Sequence, residues 1–340
     1  GTNAVNLSTG TLTNLKTVTV AGTAGLTLDA DDADKLTSVD ASATSGKVTA
    51  VIDGDIATYK GGSGVDTLTV DAALTTNVAK AITLGAGNDT ITIGAKTLTT
   101  GTIDGGADTD TISIDAAAAV TASGNTTFAG KVTNFEQLTL TGATGAQTVD
   151  AAKLGNYNYV TVTAGNAAAA TTTLTGLTSG ATIALNDAVD TTNANDTIVA
   201  TIKDATLVAN TSDVLNIAIS AKAASAGTAG TADDNGTVTA AGVETINISV
   251  LDAVNEATVV GAAVGAKNIA ADTQNLTLQA TSAKTITIKG DTALNLTNTG
   301  NIAAALIDGS AMTGALTVKA DGTVASTIKG GSGNDTLTAS

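Results

Sequence analysis

The stretch GGSGVDTLTV, residues 61–70, sets three glycines and an aspartate directly ahead of an alternating strand. Glycine loses more backbone freedom on folding than any other residue, so a turn built on Gly61, Gly62 and Gly64 needs something to order it. The pattern returns as LGAGNDTITI at 84–93, GGADTDTISI at 105–114 and GGSGNDTLTA at 330–339. Aligned as Gly-Gly-x-Gly-x-Asp-x-apolar-x, the first copy supplies Gly61, Gly62, Gly64, Asp66 and Leu68. The second keeps Gly85, Gly87, Asp89 and Ile91, with Leu84 in the first place. The third keeps Gly105, Gly106, Asp110 and Ile112, with Asp108 in place of the third glycine. The fourth is complete, with Gly330, Gly331, Gly333, Asp335 and Leu337. A degenerate fifth copy, TTNANDTIV at 191–199, puts Asp196 in the aspartate position.

The rest of the chain is written in the same style. Of its 340 residues 43% are hydrophobic but only 1% aromatic, and there is no Trp, Pro, Cys, His or Arg. A thick core uses aromatic rings as large fillers, so Val, Ile, Leu and Ala must fill a narrow one. Alternation of apolar and polar residues recurs throughout: TVTV at 17–20, LTV at 68–70, ITI at 91–93, LTL at 138–140, VTV at 160–162, INI at 246–248 and LTV at 316–318. Period two with β-branched residues marks half-buried strands. Ala116–Ala119 and Ala167–Ala170 have the composition of a helical turn, and Ala218–Asp234 reads as a low-complexity loop.

Short, evenly spaced strands suit a sandwich, a barrel or a solenoid. The glycine turns recur about every twenty residues, the length of a coil with two strands and two turns. A second phrase also repeats, as LTNLKTVTVAG at 12–22, VTNFEQLTLTG at 132–142 and AAGVETINISV at 240–250. A stacked coil needs only a slim interior. The expected fold is therefore all-β, a parallel β-solenoid of the β-roll or β-helix kind. A β-sandwich is the alternative for the middle part, where the repeat is irregular.

Charge narrows the function. The chain carries 31 acidic and 15 basic residues, a net charge of −16. All but three of the acids (Glu136, Glu244 and Glu256) are aspartates. So acidic a surface is a poor partner for nucleic acid, which needs clustered Lys or Arg. No apolar run reaches the length of a membrane-spanning helix. Without His or Cys, neither a Ser-His-Asp triad nor a His-activated thiol is available. Paired carboxylates could still hydrolyse glycosides, but three Tyr and two Phe make few platforms for sugars. No enzymatic role is expected. Thr-x-Thr steps such as Thr17–Thr19 suggest an ice-binding face, yet coils of uneven length would not give it flat, regular rows.

The aspartate turns have a chemistry of their own. Glycines allow carbonyl oxygens to face inward, and aspartate adds a charged oxygen close to the backbone. Calcium takes six to eight such oxygens at about 2.3–2.6 Å. One turn cannot supply that number, but turns stacked in neighbouring coils can. Asp66, Asp89 and Asp110 are therefore expected to form a ladder with ions between its rungs, solvated turns being the plainer reading. Phe135 and Leu15 read as core anchors at coil corners, and Glu136 as a solvated or Lys-paired surface acid. Tyr157 and Tyr159 are expected to share one strand face.

The four turns resemble the nonapeptide of RTX (repeat-in-toxin) proteins, a calcium-binding β-roll signature. The copies here are not in tandem, about a dozen other residues intervening. That spacing, with NFEQLTL, GVETINI and the Thr/Ala-rich, Cys-free composition, is similar to the RTX-containing surface-layer (S-layer) proteins of Gram-negative bacteria. The resemblance implies type I secretion, Ca²⁺-driven folding outside the cell and self-assembly into a two-dimensional lattice on the bacterial surface. Cell-surface polysaccharide, reached through calcium, is the second partner it allows. A calcium-dependent extracellular filament or adhesin is the alternative, with residues 218–237 as a contact loop. On this reading residues 1–115 form a calcium-binding solenoid, 116–325 a less regular continuation, and 326–340 the start of a further coil. Because Gly1 is not an initiator Met, the chain is expected to be a section of a longer one.

Overall fold

A computed structural model describes residues 3–6, 14–29, 35–70, 77–125, 127–142, 145–163, 171–185, 196–221, 233–252, 273–298, 304–320 and 324–339. The chain forms two compact units: Gly1–Thr141 with Asp150–Tyr157, and Gly142–Val149 with Asn158–Ser340. Each unit is a parallel β-solenoid. The strand Thr111–Asp115 runs straight into the helix Ala116–Ser123 of the same unit.

In the first unit one wall stacks Asn3–Asn6, Leu26–Asp29, Val48–Ile52, Thr67–Val70, Thr90–Gly94, Thr111–Asp115 and Gln137–Thr141, all parallel. The facing wall stacks Thr17–Gly22, Ser38–Thr44, Thr58–Lys60, Ile82–Thr83, Ile103–Asp104 and Val132–Thr133. The chain visits the walls in turn, so each circuit adds one strand to each. The Gly/Asp turns at 61–66, 84–89 and 105–110 all link the second wall to the first, which puts them at one corner of the coil.

Alternation in sequence becomes layering in space. Register pairs Leu28 with Ala50, then Leu68, Ile91, Ile112 and Leu138. This inward column is at most 1% exposed, and the threonines beside its members in each strand face outward, most of them half-buried. Like stacks on like because a parallel in-register ladder repeats the same position at every coil. A slip of one residue would turn a whole strand inside out. Each fully buried Leu or Ile contributes roughly 1.5–3 kcal/mol, which makes the column the main stabilising element of a core nearly free of aromatics.

The second unit follows the same plan. One wall runs Tyr159–Val162, Ala181–Leu185, Val214–Ala221, Thr245–Asp252, Thr285–Gly290, Leu306–Met312 and Thr327–Lys329. The other runs Thr171–Leu177, Thr197–Ile202, Asp233–Ala240, Gln274–Gln279, Leu294–Asn298, Leu316–Lys319 and Thr336–Thr338. The middle of the chain is thus a parallel solenoid, and the sandwich alternative, which needs antiparallel sheets, does not hold. Only the lengths of the connections vary. Of the low-complexity stretch, Ala218–Ala221 closes one strand and Asp233 opens the next; residues 222–232 lie outside the described part, as does Ala167–Ala170.

The first alanine run grows beyond a single turn into the helix Ala116–Ser123. Asp115 caps it, its Oδ1 accepting from the N–H of Ala117 and Ala118 at 2.9 and 3.1 Å. Phe135 is buried as a corner anchor, and Leu15 is half-buried. Tyr157 is buried too, while Tyr159, two residues on, is half-buried in its strand.

Because the Leu68–Ile91–Ile112 column bears the core, Ile112→Ala is expected to lower stability to urea by about 2–5 kcal/mol. Thr90→Ala, on the outward side, should change it far less; equal losses would show that the column is not the core.

Candidate metal centre

The aspartate at each turn is the last residue before an inward-alternating strand, and register sets it over its counterpart one coil earlier. Asp66, Asp89 and Asp110 are buried to 1% exposure or less. Their carboxylates are spent along the stack. Asp66 Oδ1 accepts from Val48 N–H at 2.8 Å, Asp89 Oδ1 from Asp66 N–H at 2.6 Å, and Asp110 Oδ1 from Asp89 N–H at 2.8 Å. Glu136 Oε2 continues the series, accepting from Asp110 N–H at 2.8 Å. Glu136 is exposed, as the sequence suggests, yet its carboxylate binds the backbone of the preceding coil.

The second carboxylate oxygens divide the turns into two kinds. In the two complete copies both oxygens are satisfied. Asp66 receives hydrogen bonds from the Gly62 N–H and, at 3.2 Å, from the hydroxyl of buried Tyr59. Asp335, half-buried, binds Leu316 N–H through Oδ1 and Gly331 N–H through Oδ2, both at 2.8 Å. In the two altered copies the second glycine adopts a left-handed conformation, φ +110° at Gly85 and +108° at Gly106. There Asp89 Oδ2 and Asp110 Oδ2 are buried with no hydrogen-bond partner. An added Cβ at Gly85 would collide with the Gly62 carbonyl, and at Gly106 with the Gly85 carbonyl. At Gly61, Gly62, Gly64, Gly87, Gly105, Gly331 and Gly333 a side chain would likewise strike neighbouring backbone, and at Gly330 the Asp335 carboxylate.

Two of the turn carbonyls are engaged by backbone N–H groups of the next coil. Gly62 and Gly85 aim theirs along the stack, at the N–H of Ala86 and Ala107 respectively, each at 2.9 Å. Asp108, at φ +81°, is exposed and accepts from Gly87 N–H at 3.1 Å. A non-glycine residue there is strained, though aspartate tolerates it better than most. Asp196 belongs to the second unit, where its carbonyl accepts from the N–H of Thr237 in the same unit, and the turn before it is not described.

Electrostatics follow from this burial. Desolvation pushes Asp89 up to about 7, with the charges of Asp66, Asp110 and Asp108 adding to it. Burial pushes Asp110 up to about 6, helped by Glu136, Asp108 and Asp104. Asp66 is raised for the same first reason, and Tyr59 is raised by burial and by the Asp66 charge. Ionising the row therefore costs free energy until something positive meets the unpaired oxygens.

Among the described residues no three Asp, Glu, His or Cys side chains converge as a metal-binding group. The carboxylates are strung one per coil instead. The donors are all hard oxygens, which suit Ca²⁺ or Mg²⁺ rather than softer metals. Asp89 and Asp110, with Asp66 beside them, would hold such an ion, whose contribution is positive charge where desolvation otherwise disfavours the carboxylates. The sequence points to these three aspartates but not to Tyr59 or Glu136. The only signals for those two are a tyrosine two residues ahead of the first glycine turn and an acid at the head of the strand Gln137–Thr141, one coil after the third turn. No family model matches the chain, and no curated protein matches it.

The raised values carry a sign. Asp89 and Asp110 bind protons more tightly folded than unfolded, where an aspartate titrates near 3.9. Their stabilising protonation is complete below about pH 4 and is lost as pH rises through about 6 to 7. Metal-free protein should thus show a falling melting temperature between pH 4 and 7, and Asp89→Asn should flatten that slope. An unchanged slope in the variant would remove Asp89 as its source.

Proposed function

We propose that the chain is a structural component of an extracellular, self-assembling coat, a β-solenoid whose aspartate corner is completed by calcium. The observation that carries this reading is the buried row Asp66–Asp89–Asp110, with two carboxylate oxygens left unpaired in consecutive coils. Such a row repels itself across a strand spacing, so cation binding and coil stacking are one equilibrium. The glycine turns around it support the likeness to RTX repeats. The net charge of −16 supports an ion-rich setting, where calcium between acidic surfaces would join neighbouring molecules as well as coils. On this reading the protein is an S-layer subunit of the Gram-negative, type I-secreted group, and its partner is itself.

A calcium titration of chelator-stripped protein, followed by far-UV circular dichroism and light scattering, tests the proposal. Extracellular calcium modules bind at about 10⁻⁴–10⁻³ M, and β-structure and large assemblies are expected to appear in that range. Electron microscopy of the product separates sheets from filaments. Protein already folded, and unaltered by calcium or chelator, would refute the metal reading. A folded, calcium-bound monomer would refute the coat.

A further inference from the structure

The second unit contains a carboxylate that no glycine turn announces. Asp213, in TSDVLNIAI, directly precedes the strand Val214–Ala221 and is 3% exposed. Its N–H donates to Glu244 Oε2 at 3.0 Å, and the N–H groups of Glu244 and Thr245 return to its carbonyl at 3.2 and 3.0 Å. Its Oδ2 is buried with no hydrogen-bond partner.

The arrangement duplicates the last rung of the first unit. Asp110 N–H donates to Glu136 Oε2 at 2.8 Å, Glu136 and Gln137 return to the Asp110 carbonyl at 3.2 and 3.0 Å, and Asp110 Oδ2 is unpaired. The glutamates come from the phrase that recurs in the sequence, NFEQLTL and GVETINI, each behind a buried apolar residue, Phe135 or Val243. Two segments that share no glycine turn therefore build one local structure and leave the same atom unmet. A buried carboxylate oxygen without a donor calls for an ion, a water or a proton. The position before Asp213 in the stack belongs to Ser179, whose Oγ accepts from Val214 N–H at 3.0 Å, so three consecutive coils present oxygen-bearing side chains there. Lys284, at that position one coil after Glu244, is exposed.

We propose that Asp213 and Glu244 form a second site for a hard divalent cation, outside the glycine turns and in the second unit. It rests on the reading that the first unit's unpaired Asp oxygens are met by calcium, and it extends that reading to residues no repeat motif includes. The site explains why an aspartate is buried at the head of a strand whose preceding turn has no glycine to admit a second donor.

The test counts calcium ions per chain by isothermal titration and equilibrium dialysis on the full chain. The variant carrying Asp66→Asn, Asp89→Asn, Asp110→Asn and Asp335→Asn is expected to keep one calcium, bound on the order of 10⁻⁴–10⁻³ M. Adding Asp213→Asn should abolish it. If the unsubstituted chain binds calcium and the fourfold variant binds none, this site is refuted and the motif reading stands. If the fourfold variant binds as many ions as the unsubstituted chain, and Asp213→Asn removes one, the motif reading fails and this site stands. Should the fourfold variant not fold, Asp213→Asn alone decides: one ion fewer supports the site, and an unchanged count overturns it. Failure of the unsubstituted chain to bind calcium overturns both.

Discussion

A carboxylate at the head of a strand, bound to the backbone N–H of the coil before it, is the interaction on which the rest of the molecule depends. The coil corner is where the regular ladder stops, so its N–H groups lack sheet partners. A side-chain oxygen one coil further on supplies them. That single bond sets vertical register at the corner, and register in turn keeps Leu68, Ile91 and Ile112 in one inward column. The hydrophobic core contributes most of the stability, yet it packs only if consecutive coils agree to the residue. An apolar column of interchangeable Leu, Ile and Val tolerates displacement along the strand by two, whereas an aspartate bonded to one particular N–H does not.

The same interaction creates the molecule's electrostatic problem. Burying the acid lets Oδ1 reach its donor but leaves Oδ2 to be satisfied separately. Where a glycine N–H turns back, as at Gly62 and Gly331, the turn solves this internally. Where the glycine flips to a left-handed conformation, as at Gly85 and Gly106, it does not. A cradle closed to any side chain, with an unmatched charge inside it, is suited to a small cation. Turn geometry, more than the count of aspartates, thus separates scaffold positions from candidate binding positions.

Much of this was legible in the amino-acid sequence, for a reason tied to the fold. The motif spacing equals the coil length, so aspartates 23 and 21 residues apart come out bonded to one another. Period-two alternation translated directly into walls. What escaped notice were contacts made across connections of unequal length. Glu136 reaches back 26 residues and Glu244 reaches back 31, and no constant period marks either. Asp213 sits in no repeated motif, because its place in the stack is set by Glu244 and by the parallel pairing of Val214 with Thr245, not by its own neighbours. The split between satisfied and unsatisfied turns was also hidden, since Gly62 and Gly85 occupy the same motif position and differ only in backbone angle.

The carboxylate rungs all lean one way. In every pair described, from Asp66 on Val48 to Asp335 on Leu316, the later coil supplies the acid and the earlier one the N–H. The stack is therefore vectorial, like a zip whose teeth engage from one side. A coil acquires its full set of bonds only when its successor arrives, so cutting the chain after a rung strips the coil left behind, while cutting before it leaves the following coil's donors untouched.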